Sequence, residues 1–199
     1  MAINLANNNS LASITALPAS ISGGAMTLIS TATASSSATI DFTSGIDSTY
    51  DEYVFKFIDI HPATDDARLT FQADTGTNTD YNETTTNASF RAYHTEPDDG
   101  ASLDYQTSND LAQSTAFIRV SESIGNDNDE SMSGTLQIFN PSSSTFVKHY
   151  IARVSSASAM VRDNYIAGYF NVTTALTRFQ FKMSSGNIDS GVIKLYGIS

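Results

Sequence analysis

YDEYVFKFIDI, residues 50–60, decides the fold class. Tyr53, Phe55 and Phe57 recur at every second position, with Val54, Lys56, Ile58 and Ile60 between and after them. A period of two belongs to an extended strand, whose side chains point alternately to opposite faces. The expectation is one aromatic face in a core and a second face carrying Val54, Lys56, Ile58 and Ile60. His61-Pro62 follows and ends the run, because proline has no N–H for the ladder.

The same signal recurs outward in both directions. AMTLIST (25–31), ATIDFTS (38–44), RLTFQA (68–73), ASFRAYH (88–94) and AFIRV (116–120) read as strands. So do SGTLQIF (133–139), FVKHYIARV (146–154), NYIAGYF (164–170), TRFQFKM (177–183) and GVIKLYG (191–197). In the last, Ile193 and Leu195 share one side, and Val192, Lys194, Tyr196 and Ile198 the other. Gly, Pro, Asn, Asp and Ser separate these segments, and no long helical stripe occurs. About eleven short strands with a wet face predict an all-β, jelly-roll-like antiparallel sandwich over residues 41–199.

Residues 1–40 read differently. They are rich in Ala, Ser, Thr and Asn and thinly apolar, with Ile3, Leu5, Leu11, Ile14, Leu17 and Ile21 as candidate partner-binding positions. Pro18 and Gly23-Gly24 interrupt any long helix. The segment reads either as an arm that orders against a partner or as a flexible leader.

Composition excludes several classes. No cysteine is present, which removes disulfides, thiolate metal sites and cysteine nucleophiles. The net charge of −11 argues against a nucleic-acid binder, which needs clustered Lys and Arg. No apolar run approaches the ~20 residues of a membrane span. The opening MAINLANNNS lacks the basic and apolar regions of a signal peptide, so a protein made and folded in a cytoplasm is expected. Charge is uneven: acids crowd residues 59–130, while residues 131–199 are basic on balance. That pattern fits solvated loops, or a bipolar particle that packs basic surface against an acidic neighbour.

Catalytic signals are weak. No GxSxG elbow, P-loop or Rossmann fingerprint occurs, and a non-enzyme is expected. His61, His94 and His149 stand apart in sequence and form no local metal pair. GNDNDES (125–131) gathers Asp127, Asp129 and Glu130, which could hold calcium or be a solvated loop; no other cofactor is expected. Met132 stands where an EF-hand glycine would be. Tyr81, Tyr93, Tyr105 and Tyr165 lie in or near loops, where a ring could stack on a pyranose or belong to the core.

Four segments together carry a resemblance. They are LANNNSLASITALP (5–18), FTSGIDSTYDEYVFKFIDIHPATD (42–65), FNPSSSTFVKHY (139–150) and FKMSSGNIDSGVIKLYGIS (181–199). The chain resembles small structural proteins of tailed bacteriophages, especially phages of marine bacteria and cyanobacteria. The resemblance implies a virion component, displayed on capsid or tail as an oligomeric β-sandwich, with other virion proteins as partners. It implies no catalytic residues. A homo-oligomer, by analogy a trimer, and a capsid decoration or knob ahead of a tail fibre or tip are the expectations. The alternative is a carbohydrate-binding module that recognises a host surface glycan.

Overall fold

The computed structural model describes residues 26–76 and 79–199. The candidate partner-binding residues Ile3, Leu5, Leu11, Ile14, Leu17 and Ile21 lie outside them. Thirteen strands in two antiparallel sheets form the described fold. The larger sheet runs, in spatial order, β1 (Thr27–Thr33), β13 (Ile188–Ile198), β3 (Glu52–Pro62), β9 (Met132–Phe139) and β10 (Lys148–Ala157). It continues through β11 (Met160–Phe170), β5 (Thr85–Thr95) and β6 (Ala101–Tyr105), with β7 (Leu111–Ser114) also paired to β5. The smaller sheet is β2 (Ile40–Phe42), β12 (Leu176–Met183), β4 (Leu69–Thr75) and β8 (Ile118–Arg119).

All eleven strands expected from the pattern are present, so the all-β sandwich holds. The expected boundary of the arm moves. Residues 27–33 pair with β13, so the sandwich includes them as well as residues from 41 onward. Short, polar ASLDY (β6) and LAQS (β7) were not anticipated as strands.

Aromatic rings from both sheets meet in the core. Phe55 of β3 lies 5.1 Å from Phe42, 5.3 Å from Phe179 and 5.0 Å from Phe181, all on the smaller sheet. Tyr53, Phe55 and Phe57 are buried as their spacing predicts. Ile60 was assigned to the opposite face, and the structure corrects this: it is fully buried in the core. The cause is a bulge. Register slips between Phe57 and Ile60, with Asp59 at φ 49°, so one extra residue turns Ile60 inward. Gly191 of the neighbouring strand has φ 116°, and a Cβ there would meet the Asp59 carbonyl oxygen at 2.5 Å. Only glycine fits beside the bulge.

Strand β4 is covered on both faces. Leu69, Phe71 and Ala73 enter the core, while Gln72 donates from Nε2 to the carbonyls of Glu83, Thr115 and Ala116. Asp74 Oδ2 accepts from the Tyr81 N–H at 3.1 Å. Those bonds let polar side chains sit buried at a tolerable desolvation cost.

Candidate functional site

Strands β10, β11, β5, β6 and β7 form a wing that widens the larger sheet beyond β9, and on β5 the usual polarity is turned over. On β5 the inward residues are Thr85, Asn87, Ser89 and Arg91, and the outward ones are Ala88, Phe90 and Ala92. The polar set is the more buried. Thr85 Oγ1 shares a hydrogen bond with the Tyr150 hydroxyl at 2.9 Å, and Asn87 Nδ2 donates to the Asn109 carbonyl at 3.1 Å.

Beneath the wing lies a buried charged cluster. Glu122 accepts from Asn109 Nδ2 and from Arg91 Nη1 at 3.5 Å, with Arg68 Nε at 3.9 Å. Arg162 donates from Nη1 to the Ser123 carbonyl at 2.9 Å. Burial pushes the Arg162 guanidinium below its ordinary pKa, and nearby Arg91 adds to the effect. Lys148, also fully buried, donates from Nζ to the carbonyls of Phe146 and Val172, and burial lowers its pKa. The contacts of Asn87, Arg91 and Arg162 with Asn109, Glu122 and Ser123 tie the covering segment to the sheet.

The outward face of the larger sheet is the opposite. Among the described residues, eight large apolar side chains are exposed: Leu28, Ile58, Phe90, Leu103, Tyr105, Phe146, Ile151 and Val161. Register places all but Phe146 on this one face. Exposed apolar residues that share one face make it a candidate interaction surface. A ridge crosses the wing through the paired positions Tyr105, Phe90, Tyr165 and Arg153. Phe90 and Tyr165 stack with centroids 4.7 Å apart and planes 5° from parallel. The Arg153 guanidinium lies over the Tyr165 ring at 4.8 Å, held from behind by both oxygens of Asp163 at 3.0 and 2.7 Å. The guanidinium holds the Asp163 carboxyl below the usual carboxylate range. Beside the ridge runs a groove of about 210 Å³ with Ala88 and Ala167 as floor and Phe90, Tyr105, Ile151 and Tyr165 as walls.

The sequence-predicted residues fall as follows. Tyr81 is 5% exposed, so it cannot offer its ring to a sugar; burial pushes its hydroxyl up to about 12. Tyr93 lies on the inward side beneath Arg91, 5.3 Å from the guanidinium. Tyr165 has Phe90 over one face and Arg153 over the other, which leaves no free face for a pyranose. Tyr105 is exposed and donates to Asp110 Oδ2 at 2.6 Å. The structure thus brings Tyr105 and Tyr165 to one ridge and separates Tyr81 and Tyr93 from it. Phe90 and Ile151 are the ridge and groove residues that sequence reasoning missed.

Asp129 and Glu130 line an open corner with Asp59, His61 and Asp189, and the Asp127 main-chain carbonyl lies 3.2 Å from His61 Nε2. Glu130 Oε2 accepts from the Asp127 N–H and Oε1 from the Ala159 N–H, so this carboxylate fastens the loop to the β10–β11 turn. Asp127 and Asp129 point to solvent, and no three acidic or histidine side chains are grouped to hold a metal among the described residues. His61 approaches Asp189 at 3.6 Å, His94 pairs with Asp98 at 2.9 Å, and His149 packs 6.0 Å from the Tyr169 ring. No helix among the described residues is long and apolar enough to cross a membrane. No protein-family model, curated protein or solved structure matches the chain.

Proposed function

We propose that this chain is a non-enzymatic structural protein of a bacteriophage virion, an oligomeric surface module attached through its N-terminal segment. The observation that carries the reading is the path of the chain between the sheets. Setting aside the wing, β1, β13, β3 and β9 face β2, β12, β4 and β8, and successive strands alternate between the two layers except at β4 and β8, which pair with each other in the smaller sheet. That interleaved order supports a jelly roll, the architecture of many viral capsid and lectin domains. The link from fold to role is analogy, and the resemblance of the four segments to phage structural proteins strengthens it. The apolar outward face supports association with other copies or with other virion proteins.

A capsid decoration or knob is favoured over a tail fibre, because the described residues form one sandwich with no repetitive shaft among them. The second reading, a module that binds host glycans, rests on exposed Tyr105 beside Phe90. An apolar groove wall offers few partners for sugar hydroxyls, so it ranks second. Electron cryo-microscopy of the purified phage tests the proposal. Density for the sandwich on the capsid lattice is the expected result, and density on the tail would move the reading to host recognition. Absence of the chain from the particle would overturn the virion role.

A further inference from the structure

We infer that residues 1–25 of one copy lie across the aromatic groove of a neighbouring copy, an inference that rests on the oligomeric reading above. The groove by Ala88 and Ala167 exposes only apolar atoms. Such a lining strands hydroxyls and charges without partners and suits aliphatic side chains. Residues 1–25 supply them: Ile3, Leu5, Leu11, Ile14, Leu17 and Ile21 recur in a stretch with no charged side chain. The first charged side chain of the chain is Asp41, so the segment buries no ion on docking.

Reach and position agree. Register aligns Leu28, Tyr196, Val54, Gln137, Ile151, Ala167 and Ala88 in one transverse row on the outward face. From β1 to β5 this lane crosses six strand spacings, about 29 Å at ~4.8 Å each. A segment of 25 residues spans up to ~80 Å when extended. It joins the sheet at β1, an edge strand reading TLISTAT. That edge carries no charge and no proline, the devices that keep edges from meeting another chain. A second copy therefore meets the molecule where the segment begins.

The test uses the full chain with a photoreactive phenylalanine at Leu11 or Leu17. Light and isotopically heavy copies are mixed and irradiated, and the cross-linked peptides are read by mass spectrometry. Light-scattering chromatography of the same sample gives the oligomeric state. The expected result is an oligomer with mixed-isotope cross-links to peptides holding Ala88–Phe90, Ile151 or Tyr165–Ala167. Ala167→Arg fills the groove from an exposed floor position and leaves the core untouched. It should cut those cross-links at least about tenfold, the effect of losing one buried aliphatic side chain. Cross-links confined to single-isotope pairs would place the segment on its own sheet and overturn the inference. Cross-links elsewhere on an intact oligomer would overturn this inference alone. A monomer would overturn the oligomeric reading with it.

Discussion

Replacing Glu122 with glutamine should destabilise the fold by about 2–3 kcal/mol. The change is isosteric and keeps an oxygen to accept from Asn109 Nδ2. It removes the carboxylate that faces Arg91 at 3.5 Å and Arg68 at 3.9 Å. Removing one partner of a buried ion pair costs about 3–5 kcal/mol, because the charge left behind stays desolvated. The Glu122 side chain is 8% exposed, but those of Arg68 and Arg91 are 32% and 25% exposed, so solvent softens the loss. For a domain of this size each kcal/mol moves the midpoint by about 2–4 °C, which gives a fall of roughly 5–10 °C. Calorimetry and urea denaturation of wild type, Glu122→Gln and the outward-face control Glu52→Gln would measure it. A Glu122→Gln stability within about 0.5 kcal/mol of wild type, the usual scatter of surface changes, would refute the reasoning. The arginines would then be neutralised by something other than this carboxylate.

Three further outcomes follow from the packing. Phe181 has the rings of Phe42, Phe55, Phe57 and Phe71 at 6.0, 5.0, 5.5 and 6.2 Å. Phe181→Ala should cost about 4 kcal/mol in urea denaturation, and a loss under about 2 kcal/mol would mean the two layers are not joined there. At Gly168 an added Cβ would meet the Tyr150 hydroxyl and the Thr86 carbonyl oxygen, so Gly168→Ala should cost about 1–3 kcal/mol by overpacking. A neutral result in the same assay would place β10, β11 and β5 further apart than described. Burial raises the pKa of Tyr53, Tyr81 and Tyr150 above 10.0. Their stabilising contribution is complete below the unfolded value and lost as pH rises towards the native values. Stability should therefore fall above about pH 10, by up to about 4 kcal/mol per pH unit if all three stay protonated in the fold. Of the nine tyrosines, these three should add their tyrosinate absorbance only together with unfolding, and ionisation of all nine before unfolding would contradict their burial.

The strands were legible because alternation survives any tertiary context that keeps one face wet. Tyr53, Phe55 and Phe57 announced their own burial. Ile60 did not, because a bulge at Asp59 shifts parity without leaving a mark in hydrophobicity; the residue at φ 49° is an ordinary aspartate. ASLDY and LAQS escaped notice because edge strands this short and polar read as loop. The apolar outward face was harder for a physical reason. In NASFRAY (87–93) the apolar residues Ala88, Phe90 and Ala92 look like the core set, and only the tertiary fold puts Asn87, Ser89 and Arg91 inside. A hint existed in the same residues: Asn87 and Ser89 are as compatible with hydrogen-bonded burial as the apolar set is. The tyrosines, sought in loops, were informative only where two of them reached the sheet.

The position of β13 bears on how the domain is made. It follows every other strand in chain order, yet it lies inside the larger sheet, between β1 and β3. Until residues 188–198 leave the ribosome, β1 has no ladder partner in this sheet and β3 has only β9. Sheet closure must wait for the end of this stretch of synthesis, and it joins segments far apart in sequence, which is slow. During that interval two strand edges and an apolar face are open together, the state from which chains aggregate. Expression at lower temperature, or with a chaperone that shields apolar strands, should raise the yield of folded protein more than any change to the finished surface.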